Sequence, residues 1–183
     1  STDKYLEIAR PGVVRPQMEV ARLRGRIDRV DVAPDGTVLA YDYKLSKGAT
    51  VFDMRAGRDV QLGAYLAALE NLILPEGRFA GGGFYAFRGG SDRRNNGLYR
   101  QSFSDYTGLG KNVHSNMSDS EWQAVRADII HRVWEFMDGM RAGSFVVRPS
   151  QGKKTCELCD FSAVCRYEPY RMRRKLAAEP PTP

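Results

Sequence analysis

The sequence of 183 residues contains only three cysteines and two histidines, and it has no long apolar segment. Three cysteines cannot all pair within one chain, which argues against a framework of disulfides. No apolar run approaches the roughly 20 residues that a membrane span needs, and the first residues do not form a signal-peptide core. There is no internal repeat and no G-x-x-x-x-G-K motif, so we do not expect the chain itself to hydrolyse ATP. These absences predict a soluble, cytoplasmic protein without a membrane partner.

Charge and length narrow the class further. The chain carries 28 lysines and arginines against 22 acids, for a net charge of +6. This excess favours a polyanion as the partner, although an RNA-binding or membrane-surface protein would have the same balance. The length suits one domain, because a chain of about 150 residues already buries close to 70% of its unfolded surface.

The most informative stretch, residues 24–45, reads as one β-hairpin. Apolar and polar residues alternate on both sides of Pro34, Asp35 and Gly36, which supply turn chemistry. With Asp35 at the centre of the turn, Asp28 and Asp42 oppose each other across the two strands. Lys44 then points to the same face as Asp42, because side chains alternate with period two. The pattern therefore brings two carboxylates and an amine together.

Like charges that face each other across paired strands destabilise a sheet, so something must offset the repulsion. A hard divalent cation would do so, and two acids that leave room for water and phosphate suit Mg²⁺. The Lys44 ammonium would then neutralise developing charge or position water. The alternative is a solvated surface of ion pairs, in which Asp28 pairs with Arg26 or Arg29 and Asp42 pairs with Lys44.

The spacing predicts an apolar helix over 58–74, packed on the sheet. Gln61 and Tyr65 are one turn apart on it, so an amide and a phenol would lie on one face, near the site or a DNA backbone. The alternative is that Tyr65 belongs to the core and Gln61 braces a loop. A capping-box pattern at Ser118 and Glu121 opens a second helix over 118–140 with an apolar core stripe. Further strands are predicted over 5–8, 18–23, 81–87 and 98–103, and residues 105–117 are interpreted as loop.

The three cysteines form a second cluster, Cys156, Cys159 and Cys165, spaced C-x2-C-x5-C. Such tight spacing in a cytoplasmic protein argues for a metal. Zinc would need a fourth nitrogen or sulfur ligand nearby, and none is present. Iron-sulfur clusters are held by thiolates and often take them from distant parts of a chain.

Three stretches, GRIDRVD at 25–31, YDYK at 41–44 and QLGAY at 61–65, resemble the PD-(D/E)xK nucleases of the RecB type. They most resemble the nuclease domain at the C-terminal end of AddB-type helicase-nuclease subunits. The resemblance implies an α/β fold, with a restriction-endonuclease-like mixed β-sheet flanked by helices and a C-terminal cysteine-rich tail. The implied catalytic residues are Asp28, Asp42, Lys44, Gln61 and Tyr65, and the metal ligands are Asp28, Asp42 and the Tyr43 carbonyl.

The resemblance also implies a function. The chain would be a Mg- or Mn-dependent deoxyribonuclease, an exonuclease tethered to a helicase subunit or domain, in double-strand-break repair. Arg26, Arg29 and Lys47 would contact DNA. Two alternatives stay open: a RecB-type nuclease of CRISPR adaptation, and a non-catalytic DNA-end-binding module.

The expected organisation is a nuclease core over 1–150, an iron-sulfur-type cysteine tail over 151–178 and a disordered end over 179–183. The resembled family has a helix before the hairpin, which we do not find in residues 1–16. Its iron-sulfur members take a fourth cysteine from upstream of the core. We therefore expect this chain to be part of a longer polypeptide, with a 4Fe-4S cluster whose fourth ligand lies outside it.

Overall fold

The computed structural model describes residues 5–12, 19–88, 96–145, 156, 159–165 and 168. Two units are distinguished, Ser1–Asp138 and Gly139–Pro183. The predicted domain boundary at residue 150, most of the tail over 151–178 and the whole of 179–183 lie outside the described residues. None of the described helices is both long and apolar enough to cross a membrane.

A five-stranded mixed sheet lies at the centre of the first unit, with the order β3-β4-β5-β6-β7. β3 and β4 are antiparallel, β4 and β5 parallel, β5 and β6 antiparallel, and β6 and β7 parallel. Two further strands, β1 and β2, form a separate antiparallel ribbon. The strands are β1 Leu6–Ala9, β2 Val20–Leu23, β3 Arg29–Val32, β4 Thr37–Lys44, β5 Arg78–Ala86, β6 Gly97–Arg100 and β7 Asn116–Met117.

The helices connect and flank these strands. The parallel pair of β4 and β5 is joined through α1 and α2, as a parallel connection requires. The helices are α1 Val51–Arg55, α2 Gln61–Ala68, α3 Ser104–Thr107, α4 Asp119–Arg141 and α5 Ser162–Cys165, with a π-helical turn over Leu69–Ile73 and a 3-10 turn over Gln101–Phe103. The predicted α/β architecture, a mixed sheet flanked by helices, is thus confirmed and is consistent with a restriction-endonuclease-like fold.

The predicted hairpin register is confirmed over Arg29–Val32, and the predicted opposition of Asp28 and Asp42 lies one residue beyond the paired strands. Arg29 pairs with Tyr41 and Val32 with Val38, so Asp35 is at the centre of the turn. The Asp35 side chain accepts a hydrogen bond from the backbone of Thr37, which is the local turn chemistry that aspartate provides. Gly36 adopts a φ of 80°, a left-handed conformation that glycine takes without steric cost.

Two apolar clusters hold the unit together. The larger one lies between one face of the sheet and helices α1, α2 and α4. It consists of Val38, Ala40, Val51, Met54, Leu62, Leu66, Leu69, Phe79, Phe84, Leu98, Met117, Trp122, Val125 and Ile129. The smaller one packs the β1-β2 ribbon against α2 and α4, through Leu6, Ile8, Ala21, Ala67, Val133 and Trp134.

The capping box that opens α4 is confirmed. The Glu121 side chain accepts from the Ser118 backbone at 2.9 Å, and the Glu121 backbone donates to the Ser118 hydroxyl. The core stripe predicted along this helix is partly wrong. The prediction included Phe136 and Met140, which are about half exposed, and it left out Trp134, which is buried. An α-helix rotates 100° per residue, so a long stripe drifts around the helix toward solvent.

Other predicted boundaries need correction. The helix expected over 58–74 begins at Gln61, whose backbone N–H donates to the Asp59 side chain at 2.9 Å, and after Ala68 it continues as the π-helical turn. The strand expected to reach Phe103 ends at Arg100, where a 3-10 turn begins. The stretch 105–117 is not all loop, since it includes the end of α3 and the whole of β7. These short elements depend on contacts with distant parts of the chain, so no local sequence pattern predicts them.

Candidate active site

Asp42 and Lys44 project from the same face of β4, two residues apart. Asp42 is 4% exposed, and the Lys44 Nζ lies 2.7 Å from its Oδ2 atom. The same face of β4 carries Val38 and Ala40 into the core, so the carboxylate is set at the margin of a buried apolar surface. The amine is about one third exposed. A buried acid is thereby held beside a cation that solvent can reach.

Asp28 lies beside the end of β4 and contacts its backbone. It precedes β3, is exposed, and its Oδ2 accepts a hydrogen bond of 2.9 Å from the backbone N–H of Tyr43. Tyr43 separates Asp42 from Lys44, so the Asp28 carboxylate is anchored to the backbone between those two residues. The surface ion pair considered for Asp28 is not formed with Arg29, which instead binds Asp31 through two nitrogens at 2.8 and 2.9 Å.

Gln61, at the first turn of α2, connects the lysine, the acid and the phenol. Its Oε1 accepts from Lys44 Nζ at 2.7 Å, and its Nε2 donates to Asp42 Oδ1 at 3.3 Å. The same Nε2 donates to the Tyr65 hydroxyl at 3.0 Å, because residues four apart meet on one helix face. The Gln61 amide thus contacts three of the predicted site residues at once.

The chemistry of this set suits a hard cation. Asp42 Oδ2 is buried, and the Lys44 ammonium lies 2.7 Å from it. A carboxylate has about four lone-pair positions, so one held by a single ammonium and a single amide can still bind a divalent ion. Among the described residues no three histidine, cysteine or acidic side chains are grouped as metal ligands. A cation here would complete its shell with backbone oxygen, water or phosphate, as Mg²⁺ does.

Two contacts of the Phe84 ring, one with Lys44 and one with Gly48, support the site, and the sequence indicated neither of them. The Phe84 ring, which β5 places opposite Asp42, has its centroid 5.1 Å from Lys44 Nζ. A Cβ on Gly48 would collide with the same ring, so this glycine allows the loop to close over Phe84. No local sequence pattern could have indicated these contacts, because they depend on the parallel pairing of β4 with β5.

Tyr65 lies between the polar network and an apolar cavity of about 620 Å³. Gly25, Arg26 and Ile27 line the same cavity, just before Asp28 in the chain. A Cβ on Gly25 would stand 3.3 Å from the Tyr65 ring, tighter than an ordinary contact. The phenol is therefore held by packing on one side and by the Gln61 amide on the other.

The three cations predicted to contact DNA differ in their surroundings. Arg26 and Lys47 are exposed. Arg29 is exposed too, and hydrogen bonds to Asp31 and then to Tyr43 raise the pKa of its guanidinium above the ordinary value. Arg29 therefore stays charged, with part of its hydrogen-bonding capacity already used.

The three cysteines are free thiols within the second unit. The Cys159 backbone N–H donates to the Cys156 carbonyl at 3.3 Å, and Cys165 ends the short helix α5. The pKa of the Cys156 thiol is raised, first by desolvation and then by the neighbouring charges of Cys165 and Cys159. Among the described residues, the three thiols do not form a group of the kind that could hold a metal ion.

Comparison with known proteins gives one family. The family model described as PD-(D/E)XK nuclease superfamily matches residues 3–166, which is most of the chain. No curated protein matches the sequence with significance, and no solved structure does so either.

Proposed function

Since this chain belongs to the PD-(D/E)XK nuclease superfamily, we propose that it is a metal-dependent nuclease that hydrolyses DNA phosphodiesters. The observation that carries the proposal is the contact of one amide, Gln61, with both Lys44 and the buried Asp42, 2.7 and 3.3 Å away. Lys44 Nζ also lies 2.7 Å from Asp42 Oδ2, so the amide, the ammonium and the buried carboxylate form one connected group.

The residues of the site would have separate roles in hydrolysis. Asp42, the exposed Asp28 and the Tyr43 carbonyl would hold Mg²⁺ or Mn²⁺. When bound, such an ion supplies charge stabilisation at the phosphate and makes water more acidic. The Lys44 ammonium would orient the attacking water and stabilise the negative charge that develops on the phosphate.

Gln61 and Tyr65 would act through the lysine. The amide oxygen accepts a hydrogen bond from the Lys44 ammonium, whose nitrogen also lies 2.7 Å from Asp42 Oδ2, so the two contacts together fix the orientation of the ammonium. The Tyr65 hydroxyl accepts from the amide nitrogen and so restricts its rotation. Gln61 and Tyr65 are therefore positioning residues, and Gln61 would also help to place the substrate.

The test is cleavage of labelled linear DNA with Mg²⁺ or Mn²⁺, and in EDTA. We expect metal-dependent cleavage, and a loss of about 100-fold or more in Lys44→Ala, the range seen when one electrostatic stabiliser is removed. Lys111→Ala, which changes an exposed lysine in the turn between α3 and β7, is the matched control and should cleave like the wild type. DNA binding without cleavage in any metal would instead favour a non-catalytic DNA-end-binding module.

We further propose the AddB-type assignment: an exonuclease domain that acts with a helicase subunit or domain during double-strand-break repair. What supports it is the ordered set of motifs at 25–31, 41–44 and 61–65, with the glycine-rich β5. A covalently closed circle should resist the enzyme while the same DNA, once linearised, is degraded. Equal cleavage of both forms would point to an endonuclease.

An iron-sulfur cluster on Cys156, Cys159 and Cys165, completed by a ligand outside this chain, is part of the same proposal. Its support is the C-x2-C-x5-C spacing alone, since the described residues include no group of three ligands placed to hold a metal ion. Iron and sulfide content after anaerobic purification tests it. Zinc in place of iron, or no metal at all, would remove the cluster from the proposal.

A further inference from the structure

Three aromatic side chains, Tyr43, Tyr85 and Phe87, form an exposed patch that the catalytic proposal does not use. They are 37%, 48% and 66% exposed. Their ring centroids lie 5.4 to 5.9 Å apart, in one tilted pair and two edge-on pairs. Leu45, at 66% exposure, extends this aromatic patch. Contiguous apolar surface of this kind is uncommon on a soluble domain unless something binds it.

The aromatic patch is set close to the proposed active site by the strand register. Tyr43 on β4 pairs with Tyr85 on β5, and Phe87 follows two residues later. The Phe87 backbone donates to the Lys44 carbonyl at 3.0 Å. Because side chains alternate along a strand, the rings occupy the opposite face from Asp42 and Lys44, at the same end of the sheet.

Cations surround the aromatic patch. Arg29 binds Asp31 through two nitrogens and pairs across the strands with Tyr41, two residues before Tyr43. Arg88 is exposed directly after Phe87, and its backbone donates to the Leu45 carbonyl at 3.0 Å. Lys47 is exposed two residues beyond Leu45. This combination of aromatic rings and positive charge complements a polyanion that also carries flat apolar groups.

An unpaired nucleic-acid strand has that chemistry. Base faces are free to stack on aromatic side chains only when they are not buried in a duplex, and the phosphates then follow the cations. A purely apolar protein partner would not be matched by three surrounding cations. We propose that the aromatic patch is a stacking platform for the bases of an unpaired DNA strand, which Arg29, Arg88 and Lys47 hold by its phosphates.

The proposal rests on the proposed function for its choice of DNA, and it names the form of the substrate. An unpaired strand stacked on Tyr85 and Phe87 crosses the end of β5 beside β4, which carries Asp42 and Lys44. Strand capture would therefore occur at the same end of the sheet as the site of hydrolysis, on the opposite face. Duplex DNA, whose bases are stacked on each other, would gain no binding affinity from the rings.

The experiment measures fluorescence anisotropy of a labelled single-stranded oligonucleotide and of its duplex, in EDTA so that no cleavage occurs. The double variant Tyr85→Ala, Phe87→Ala should bind the single strand roughly 5- to 150-fold more weakly for each stacked base lost. Its duplex affinity should change less than about twofold. Phe136→Ala, which removes a half-exposed ring from α4, is the matched control and should bind both like the wild type.

Two further variants separate stacking from general apolar contact and from misfolding. Tyr85→Leu with Phe87→Leu keeps apolar volume without a ring face and should lose affinity like the alanine pair. Tyr85→Trp should bind the single strand at least as tightly as the wild type, which also shows that the site tolerates change. Full single-strand affinity in the leucine or alanine pair would overturn the proposal, as would self-association of the wild type that depends on these rings.

Failure of this proposal and failure of the nuclease proposal are distinguishable. Metal-dependent, Lys44-dependent cleavage with unaltered single-strand binding in the ring variants would overturn the platform alone. Ring-dependent single-strand binding in a protein that cleaves no DNA would support the platform and overturn the nuclease.

Discussion

Replacing Gln61 with leucine tests how the site holds its lysine. The change keeps the approximate shape of the side chain and removes the amide. It deletes the acceptor that receives Lys44 Nζ at 2.7 Å and the donor shared by Asp42 and Tyr65. The ion pair between Lys44 and Asp42 remains possible, so the ammonium should stay near the acid but lose its orientation.

The magnitude follows from the contacts. The Lys44 hydrogen bond is charge-assisted, and such bonds contribute about 1.5 to 3 kcal/mol. At about 1.4 kcal/mol for each factor of ten in rate, loss of this contact in the transition state corresponds to a fall in kcat of roughly 10- to 150-fold. Tyr65→Phe removes only a neutral hydrogen bond to the amide, about 0.5 to 1.5 kcal/mol, so its kcat should fall roughly 2- to 13-fold.

The assay is single-turnover cleavage of a labelled DNA at saturating metal for the two single variants and the double variant. Because Tyr65 acts through Gln61 in this arrangement, the two effects should not add. The double variant should cleave no more slowly than Gln61→Leu alone. Gln123→Leu, on the exposed face of α4, is the matched control, and thermal melting of each variant checks that the fold is intact.

Two results would refute this reasoning. If Gln61→Leu kept wild-type kcat while Lys44→Ala was inactive, the lysine would be oriented by something other than the amide. If the losses in the double variant multiplied, Tyr65 would have to contact the substrate directly, and it would no longer be a positioning residue.

Two further predictions concern the sheet and its hairpin. A Cβ on Gly82 would collide with the backbone oxygen of Ala40, so Gly82→Ala should lower the free energy of unfolding by about 1 to 3 kcal/mol. Urea unfolding measures this change. Gly110 has open space around it, so Gly110→Ala is the control and should leave the stability unchanged. Hydrogen bonding, first by Tyr106, lowers the pKa of Asp35 from 3.8 to about 2. A depressed pKa contributes stability above the unfolded value that is lost as pH falls through the folded value. Asp35→Asn should therefore lower the free energy of unfolding at pH 7 and change it little near pH 2. An equal loss of stability at both pH values would contradict the lowered pKa of Asp35.

Local chemistry in the sequence was sufficient for several features. The register of the β3-β4 hairpin followed from the turn at Asp35 and the alternation of apolar residues, both of which act over a few residues. The start of α4 followed from Ser118 and Glu121, which cap each other within one turn. That Gln61 and Tyr65 share a face followed from their spacing of four along a helix.

Features that depend on distant contacts could not be predicted. The short helix α1 and the two-residue strand β7 were missed, and the exposure of Phe136 was wrong, because each depends on which neighbour covers the segment. The ring of Phe84 near Lys44 arises from parallel pairing of β4 with β5, which are separated by two helices. The aromatic patch is likewise made by strand register, since Tyr43 and Tyr85 are far apart in the chain.

By itself, then, the order of residues determined the family, the hairpin and the identity of the acids, the lysine and the amide, since motifs and periodicity are written along the chain. Only the tertiary structure decided that Gln61 contacts both Lys44 and Asp42, that the Asp42 carboxylate is buried beside the Lys44 ammonium, and that three aromatic rings meet on the opposite face of the sheet. The reason is physical: hydrogen bonds, burial and ring contacts depend on distances in space, and α2 and β5 are brought to β4 by packing of the whole core.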